Sequence, residues 1–400
     1  MTRAGPIEQS GQKNDPYVCA SCGNCTLVCP VFRQMRWEPY GPRGKLSITK
    51  SILEKEAEFN PDFARKLFLC TLCEHCTTVC TTSIRLDRFW ELMREEAKER
   101  NLTPPPVKFA SESIKKTGDP FSIGKSNRML WAEGIEDIVE PRINAKADVA
   151  FFLGCNVSLK HQLHDVAKSM IKIMEHAGVE YTLLGENESC CGAPLLWAGE
   201  PEGTPTMVEK NAQALADLGV RKVVFSCPSC ASTWISSMHK SAGTSAVRKM
   251  ELLTASQFIN ELIQKGRLSF EEQPMITATY HDPCISARVL GVSKEPRNVI
   301  ERIPGIYRVE MVSSEQDTRC CGSHALLNMI DPHLSAQIAE MRLRDASVTP
   351  ASLLITECPR CEMAFDLATI TLGYSIQVLD ITQLVANSLR SGEGEGDVEK

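Results

Sequence analysis

Two adjacent cysteines followed by a glycine occur twice in this chain, as Cys190-Cys191-Gly192 and Cys320-Cys321-Gly322. Each pair is the middle of a longer pattern. Cys155 precedes the first pair and Cys227-Pro228-Ser229-Cys230 follows it; Cys284 precedes the second and Cys358-Pro359-Arg360-Cys361 follows. Matching cysteines are offset by 129, 130 and 131 residues, which marks an internal duplication. Successive side chains on an extended strand point to opposite faces, so neighbouring cysteines serve one site only where the chain turns sharply beside them. Gly192 and Gly322 allow that turn, because glycine takes positive φ without steric cost.

Strand-like apolar runs lead into the outer cysteines: DVAFFLGC at Cys155, KVVFSC at Cys227, ITATYHDPC at Cys284 and SLLITEC at Cys358. Helical patterns such as HDVAKSMIKIMEHAGV, KNAQALADLGV and HLSAQIAEMRLRDA separate them. This alternation predicts βαβ units with a parallel sheet in each copy. Functional groups in such sheets gather beyond the carboxyl ends of the strands, so the cysteine segments of each copy are expected to converge on one sheet edge. Residues 231–275 read as the joint between the copies.

The remaining cysteines form two runs, Cys19-x-x-Cys22-x-x-Cys25-x-x-x-Cys29 and Cys70-x-x-Cys73-x-x-Cys76-x-x-x-Cys80. Both have the spacing of bacterial ferredoxins, in which the last cysteine of one run serves the other cluster. On that template Cys19, Cys22, Cys25 and Cys80 hold one [4Fe–4S] cluster, and Cys70, Cys73, Cys76 and Cys29 hold the second. Thr81 stands where the run usually ends in proline. Zinc sites also use C-x₂-C pairs, but they join two such pairs across a loop and need no four-cysteine run. His75 reads as a spacer rather than a ligand.

The sets hold four, four, five and five cysteines, which accounts for all 18 in the 400-residue chain. A cubane or a structural zinc takes four thiolates, so a five-thiolate set implies a more open inorganic core. A vicinal disulfide at each pair is the other use, strained in geometry and disfavoured in a reducing compartment. Secreted disulfide-rich proteins are short and carry signal peptides, whereas the start MTRAGPIEQSGQKND is polar. No apolar stretch reaches the roughly eighteen residues that span a bilayer. The expectation is a soluble, cytoplasmic chain without direct membrane insertion, membrane-associated only through a partner protein. A formal charge of −6 and the lack of a long Lys/Arg run argue against nucleic acid. No GxGxxG or P-loop occurs, so flavin, NAD and ATP belong to other subunits.

A chain of this length exceeds one core. It divides into residues 1–100 (two-cluster domain), 101–146 (a connector with some helix), 147–275 and 276–385 (the duplicated domains), and a disordered tail at 386–400. The expected fold class is α+β, an N-terminal α-helical ferredoxin-type domain followed by two α/β repeats.

The patterns C-x₃₄-CCG-x₃₄-C-P-x-C and C-x₃₅-CCG-x₃₅-C-P-x-C resemble the CCG domains of the heterodisulfide reductase family. The order of ferredoxin runs, connector and two CCG domains is similar to its D subunit, over nearly the whole chain. The resemblance implies that Cys155, Cys190, Cys191, Cys227 and Cys230 hold one noncubane [4Fe–4S] cluster, and Cys284, Cys320, Cys321, Cys358 and Cys361 another, fed by the two cubane clusters. Zinc, carried by a CCG set in some relatives, is the alternative at one of these sites. Iron–sulfur subunits of glycolate and lactate oxidases are also similar, and Gly41-Pro42-Arg43-Gly44 resembles a loop common in them. Their CCG sets are often degraded; both are intact here, which favours thiol–disulfide chemistry.

What the resemblance implies is reduction of a disulfide of the coenzyme M–coenzyme B type, with Cys190, Cys191, Cys320 and Cys321 catalytic as cluster ligands. Implied partners are a b-type cytochrome membrane subunit, a flavoprotein or a protein like the A subunit of heterodisulfide reductase. The alternative is a relay in a larger complex, serving a flavin 2-hydroxyacid dehydrogenase (lactate or glycolate oxidase) or an electron-bifurcating machine of the benzoyl-CoA reductase type. A zinc-stabilised scaffold is a third reading. His281 and His324 adjoin ligand segments and are candidates to donate a proton to a departing thiolate, or to hold the sheet edge structurally. Arg288, Arg319 and Arg360 are candidates to grip anionic substrate groups. Trp197 and the methionines within 168–174 read as core.

Overall fold

The structure, a computed structural model, describes residues 6–240 and 246–390. Eight strands form among them: β1 (Val149–Phe152), β2 (Tyr181–Thr182), β3 (Lys222–Phe225), β4 (Glu251–Thr254), β5 (Ile276–Tyr280), β6 (Ile306–Val309), β7 (Leu353–Thr356) and β8 (Gln377–Asp380). They make two sheets, ordered β2-β1-β3-β4 and β6-β5-β7-β8, with every pair parallel. The fold is α+β, as the alternation predicts. Residues 231–275 are more than a joint, since β4 and the helix Ala255–Gln264 belong to this stretch and complete the first domain. β4 starts on an exposed glutamate, Glu251, which masks its strand pattern.

Parallel sheets are covered on both faces, so their strands read as unbroken apolar runs rather than alternating ones. In β1, Ala150 and Phe152 face the core shared with the N-terminal helices. Phe151 faces the opposite core, which also takes Tyr280 and Ile355 of the second sheet. Phe151 and Phe152 are at most 2% exposed, and burying each contributes about 2–3 kcal/mol. The two halves are joined by the helix Ile381–Ser388 packing on His164–His176. This helix occupies the start of the expected tail at 386, and Leu389 pairs with Phe270. Burial of Val385, Ala386 and Leu389 against the first domain keeps that segment folded. The rest of the expected tail, 391–400, lies outside the described residues.

Two arginines, Arg94 buried and Arg288 half-buried, fasten the N-terminal domain to the repeats. Arg94, on the helix Leu86–Glu99, donates to the carbonyls of Trp197 (3.0 Å), Leu67 (3.2 Å) and Cys70 (2.6 Å). The backbone of Gly199 lies so close to Arg94 O that a Cβ there would sit 2.3 Å away, which only glycine permits. Arg288 donates to Cys73 O (2.6 Å), Gln316 O (2.9 Å) and Thr318 O (2.7 Å). Among the described residues, no helix is long and apolar enough to cross a membrane.

Candidate metal centres

The two ferredoxin runs fold against each other. One small hollow is lined by Cys19, Cys22, Cys25 and Cys80, and another by Cys29, Cys70, Cys73 and Cys76. These are the crossed sets of the ferredoxin template. Arg43 braces the first hollow by pairing with Glu38 (2.6 Å) and donating to Ser21 O (3.2 Å). Gly44 lets its helix approach, since a Cβ there would collide with Glu38 O. His75 is buried beside the second hollow, and its Nε2 lies 3.9 Å from Asp317 of the second repeat, a contact that suits a spacer.

In each repeat the cysteines collect where the strand order reverses, between β1 and β3 and between β5 and β7. This is where open parallel sheets bind ligands. Cys155 follows β1 and Cys227 follows β3, and Cys284 and Cys358 stand correspondingly after β5 and β7. Prolines open the helices Pro228–Lys240 and Pro359–Leu372, so Cys227 and Cys358 sit at helix N-termini, where the dipole favours thiolate. Gly192 (φ +87°) and Gly322 (φ +85°) make the expected left-handed turns. Their amides point back at the first sulfur of each pair, Gly192 N at 3.5 Å from Cys190 Sγ and Gly322 N at 3.3 Å from Cys320 Sγ.

The thiols interact with one another in a continuous series. Cys73 of the second ferredoxin set meets Cys320, which also meets Cys284 and Cys321. Cys361 Sγ lies 3.2 Å from Cys321 Sγ, and Cys358 adjoins Cys361. Cys358 then meets Cys227 of the first repeat. Beyond it the series continues through Cys230, Cys191 and Cys190 to Cys155.

All 18 cysteines are free, the vicinal pairs included. In the repeats every one is buried. Burial pushes Cys29 up to about 12, while hydrogen bonds from neighbouring thiols hold the equally buried Cys191, Cys227 and Cys321 below the usual thiol range. Clustered, reduced, buried thiols suit a metal–sulfur group, and five per repeat exceed what one tetrahedral zinc uses.

The first set carries a clamp that the cysteine spacing did not reveal. Arg128, 1% exposed, comes from the segment expected to be a connector. It donates to Cys155 Sγ (3.3 Å), Gly118 O (3.2 Å), Ser158 Oγ (3.1 Å) and Glu188 Oε1 (3.2 Å). Glu188 in turn accepts from the amides of Leu153 (3.0 Å) and Gly154 (2.9 Å). Cys190 N donates to Gly118 O (2.8 Å), so the segment 101–146 is built into the first site.

The other candidate residues separate. His281 is fully buried behind Cys321 and Cys361, away from any opening. His324 lines an open cavity of about 700 Å³ between the N-terminal domain and both repeats, together with Trp197, Ser229, Ile285 and Arg288. Its Nδ1 lies 2.7 Å from Thr71 O, a bond that puts the proton on Nδ1 and leaves Nε2 a lone pair. Burial, helped by nearby Arg360, brings His324 down to about 4. As it stands the neutral ring offers Nε2 as an acceptor. Arg288 donates through Nε and Nη1 to backbone carbonyls while its Nη2 has no partner among the described residues, and Arg319 pairs through Nη1 with Asp345. Arg360 lies over the Trp197 ring, 4.5 Å from its centroid. Trp197 is buried as expected, but its edge meets His324 (4.7 Å between rings), and it walls the cavity.

Comparison with known proteins follows the same division. The cysteine-rich domain family (CCG) matches residues 149–234 and 278–366, and the 4Fe-4S dicluster domain family matches 16–84. Over 393 residues the chain is 28% identical to the D subunit of dihydromethanophenazine:CoB–CoM heterodisulfide reductase from Methanosarcina barkeri, covering 93% of each. It is 27% identical over 351 residues to the B subunit of fumarate reductase (CoM/CoB) from Methanothermobacter marburgensis, covering 86% of this chain and 66% of that one. The probable iron-sulfur-binding oxidoreductase FadF of Bacillus subtilis is 23% identical over 440 residues, covering 96% of this chain and 62% of FadF.

Proposed function

The chain belongs to the family of heterodisulfide reductase D subunits, iron–sulfur proteins joining a 4Fe–4S dicluster domain to two CCG domains, and from that premise we propose that it reduces a disulfide of the coenzyme M–coenzyme B type. The observation that carries this reading is the unbroken series of thiols from Cys73 through Cys320 and Cys358 to Cys227 and Cys155. The proposed groups are two cubane [4Fe–4S] clusters in the crossed ferredoxin sets and a noncubane [4Fe–4S] cluster in each five-cysteine set. Such groups supply electrons one at a time, whereas breaking an S–S bond consumes two electrons and two protons to give two thiols.

Along the cavity that His324 lines, the residues supply what the substrate needs. Trp197 and Ile285 give the cavity apolar walls, and Ser229, Ser232 and Thr233 give it hydroxyls. His324 Nε2 takes a proton from a thiol in the oxidative direction and returns it to a thiolate in the reductive one. Arg94 and Arg288 hold the dicluster domain against the repeats, fixing the distance to Cys320. Electrons enter from a partner, a b-type cytochrome or a flavoprotein, at the ferredoxin runs, where Cys22 is exposed.

One observation favours a second reading. Among the described residues no cysteine lines the 700 Å³ cavity, and those of both repeats are buried. A relay that hands electrons to another protein needs no open sulfur site, and relatives with other names, such as the fumarate reductase protein, suit it. EPR on the purified complex, titrated with candidate thiols and disulfides, separates the two. A thiol-dependent paramagnetic signal from a CCG set supports disulfide reduction. Its absence with every thiol, in protein carrying about sixteen irons per chain, leaves the relay.

A further inference from the structure

The second five-cysteine set has a buried histidine where the first has a phenylalanine. His281 stands three residues before Cys284, as Phe152 stands three before Cys155. The ring of His281 is held on three sides. Its backbone N–H donates to Ile355 O (2.8 Å), its face meets the edge of Phe365 (centroids 4.8 Å, planes at 87°), and Nδ1 lies 3.1 Å from Arg342 Nε. An arginine Nε–H only donates, so Nδ1 must accept and the neutral ring carries its proton on Nε2. Arg342 is itself 1% exposed and fixed by Asp345 (3.3 Å) and Thr318 Oγ1 (3.4 Å).

Nε2 is buried and has no hydrogen-bond partner among the described residues. A buried donor left unpaired costs about 1–3 kcal/mol, so its persistence points to an acceptor. A ring nitrogen of His281 and the sulfurs of Cys321 and Cys361 all lie within 4.8 Å of one another. Nitrogen and two thiolates together suggest a metal ligand, but the proton that Arg342 forces onto Nε2 blocks its lone pair.

We propose that His281 donates a hydrogen bond from Nε2 to the sulfur of the iron–sulfur group held by the second set, and so raises that site's reduction potential. The inference rests on the reading of that set as an iron–sulfur site. A donor facing sulfur stabilises the more negative, reduced form. Phe152 offers no donor at the matching place in the first set. The Arg342–His281 pair is thus a positioning device that sets the second site's potential without touching the substrate.

The test uses the full chain in its complex with clusters loaded. Wild-type protein grown on ¹⁵N-histidine is examined by pulsed EPR at the second site's signal. A weakly coupled nitrogen, with a proton coupling lost in ²H₂O, is expected; a strong coupling, that of a direct ligand, or none at all overturns the proposal. His281→Phe and His281→Gln are then titrated electrochemically. At a fixed ambient potential His281→Phe should lower the ratio of reduced to oxidised second site roughly tenfold, the worth of one charge-assisted hydrogen bond. His281→Gln, which keeps a donor, should recover part of it. An unchanged ratio in His281→Phe with its iron signal intact defeats the role of His281 alone. Wild-type protein with no iron in the second set defeats the site reading together with it.

Discussion

The two five-cysteine sets share one plan and differ in what surrounds it. The first is anchored by a cation from outside the domain, Arg128 on Cys155, with Glu188 tying the same arginine to the end of β1. The second is anchored from within, where Arg342 turns His281 toward Cys321 and Cys361, and it touches the ferredoxin set through Cys73 and Cys320. Duplication preserved the cysteines while neighbours diverged. Equal ligand sets in unequal fields give unequal potentials, which a directional electron path requires.

The most damaging way to break the comparison is to remove a ligand from either set. On the proposed reading, Cys191→Ser and Cys321→Ser are each expected to abolish disulfide turnover and to lower iron content, as measured by iron analysis beside a steady-state assay. Full turnover in either variant would mean that one set is dispensable. Next is the clamp: Arg128→Met leaves Glu188 buried without its cation and should cost about 3–5 kcal/mol in denaturant unfolding. Arg128→Met that is as stable as wild type would show that the two amides suffice for Glu188.

The glycines probe how tightly each turn is packed. A Cβ on Gly322 would lie 2.6 Å from Ser335 O and 2.9 Å from Ile338 Cβ, whereas on Gly192 the nearest atoms, in Thr204, are at 3.2 Å. Gly322→Ala should therefore lose about 2–3 kcal/mol and Gly192→Ala about 1, read from thermal unfolding. The reverse order would put the strain in the first repeat.

The smallest effect is one of pH. His324 titrates near 4 in the folded chain against 6.5 in the unfolded one, chiefly because it is buried, and buried His281 is lowered too. The unfolded chain then binds more protons between these values, so stability is full above 6.5 and falls on acidification toward 4. Between pH 7 and 6 the loss from His324 is about 0.5–1 kcal/mol. In the first repeat His161, His164 and His176 reach solvent. Hydrogen exchange should show the second repeat loosening first as pH falls; equal loosening would mean that the buried rings do not govern it.

Much of this was legible in order and spacing. Ferredoxin runs and doubled CCG units are local or regularly repeated, and strands leading into cysteines reveal which ends carry ligands. Arg128 was not legible, because it reaches Cys155 from the short 3-10 helix Lys125–Ala132, 27 residues away, with no periodic signal. The bracing roles of Arg94 and Arg288 escaped because their partners are carbonyls, which exist at every residue. His281 and His324 could be picked out beside ligands. Their proton positions depend on Arg342 and Thr71, and no sequence pattern encodes such contacts.

The crossing of the ferredoxin runs bears on how the chain is made. Cys29 sits with Cys70, Cys73 and Cys76, and Cys80 sits with Cys19, Cys22 and Cys25, so neither hollow is complete until both runs have left the ribosome. The repeats behave oppositely, each drawing all its thiols from its own sequence. A nascent first repeat can thus receive iron and sulfide before the second exists, while Cys227 still lacks Cys358 beside it. Once the halves close, the sulfurs of both repeats are sealed from solvent, and delivery has to precede closure.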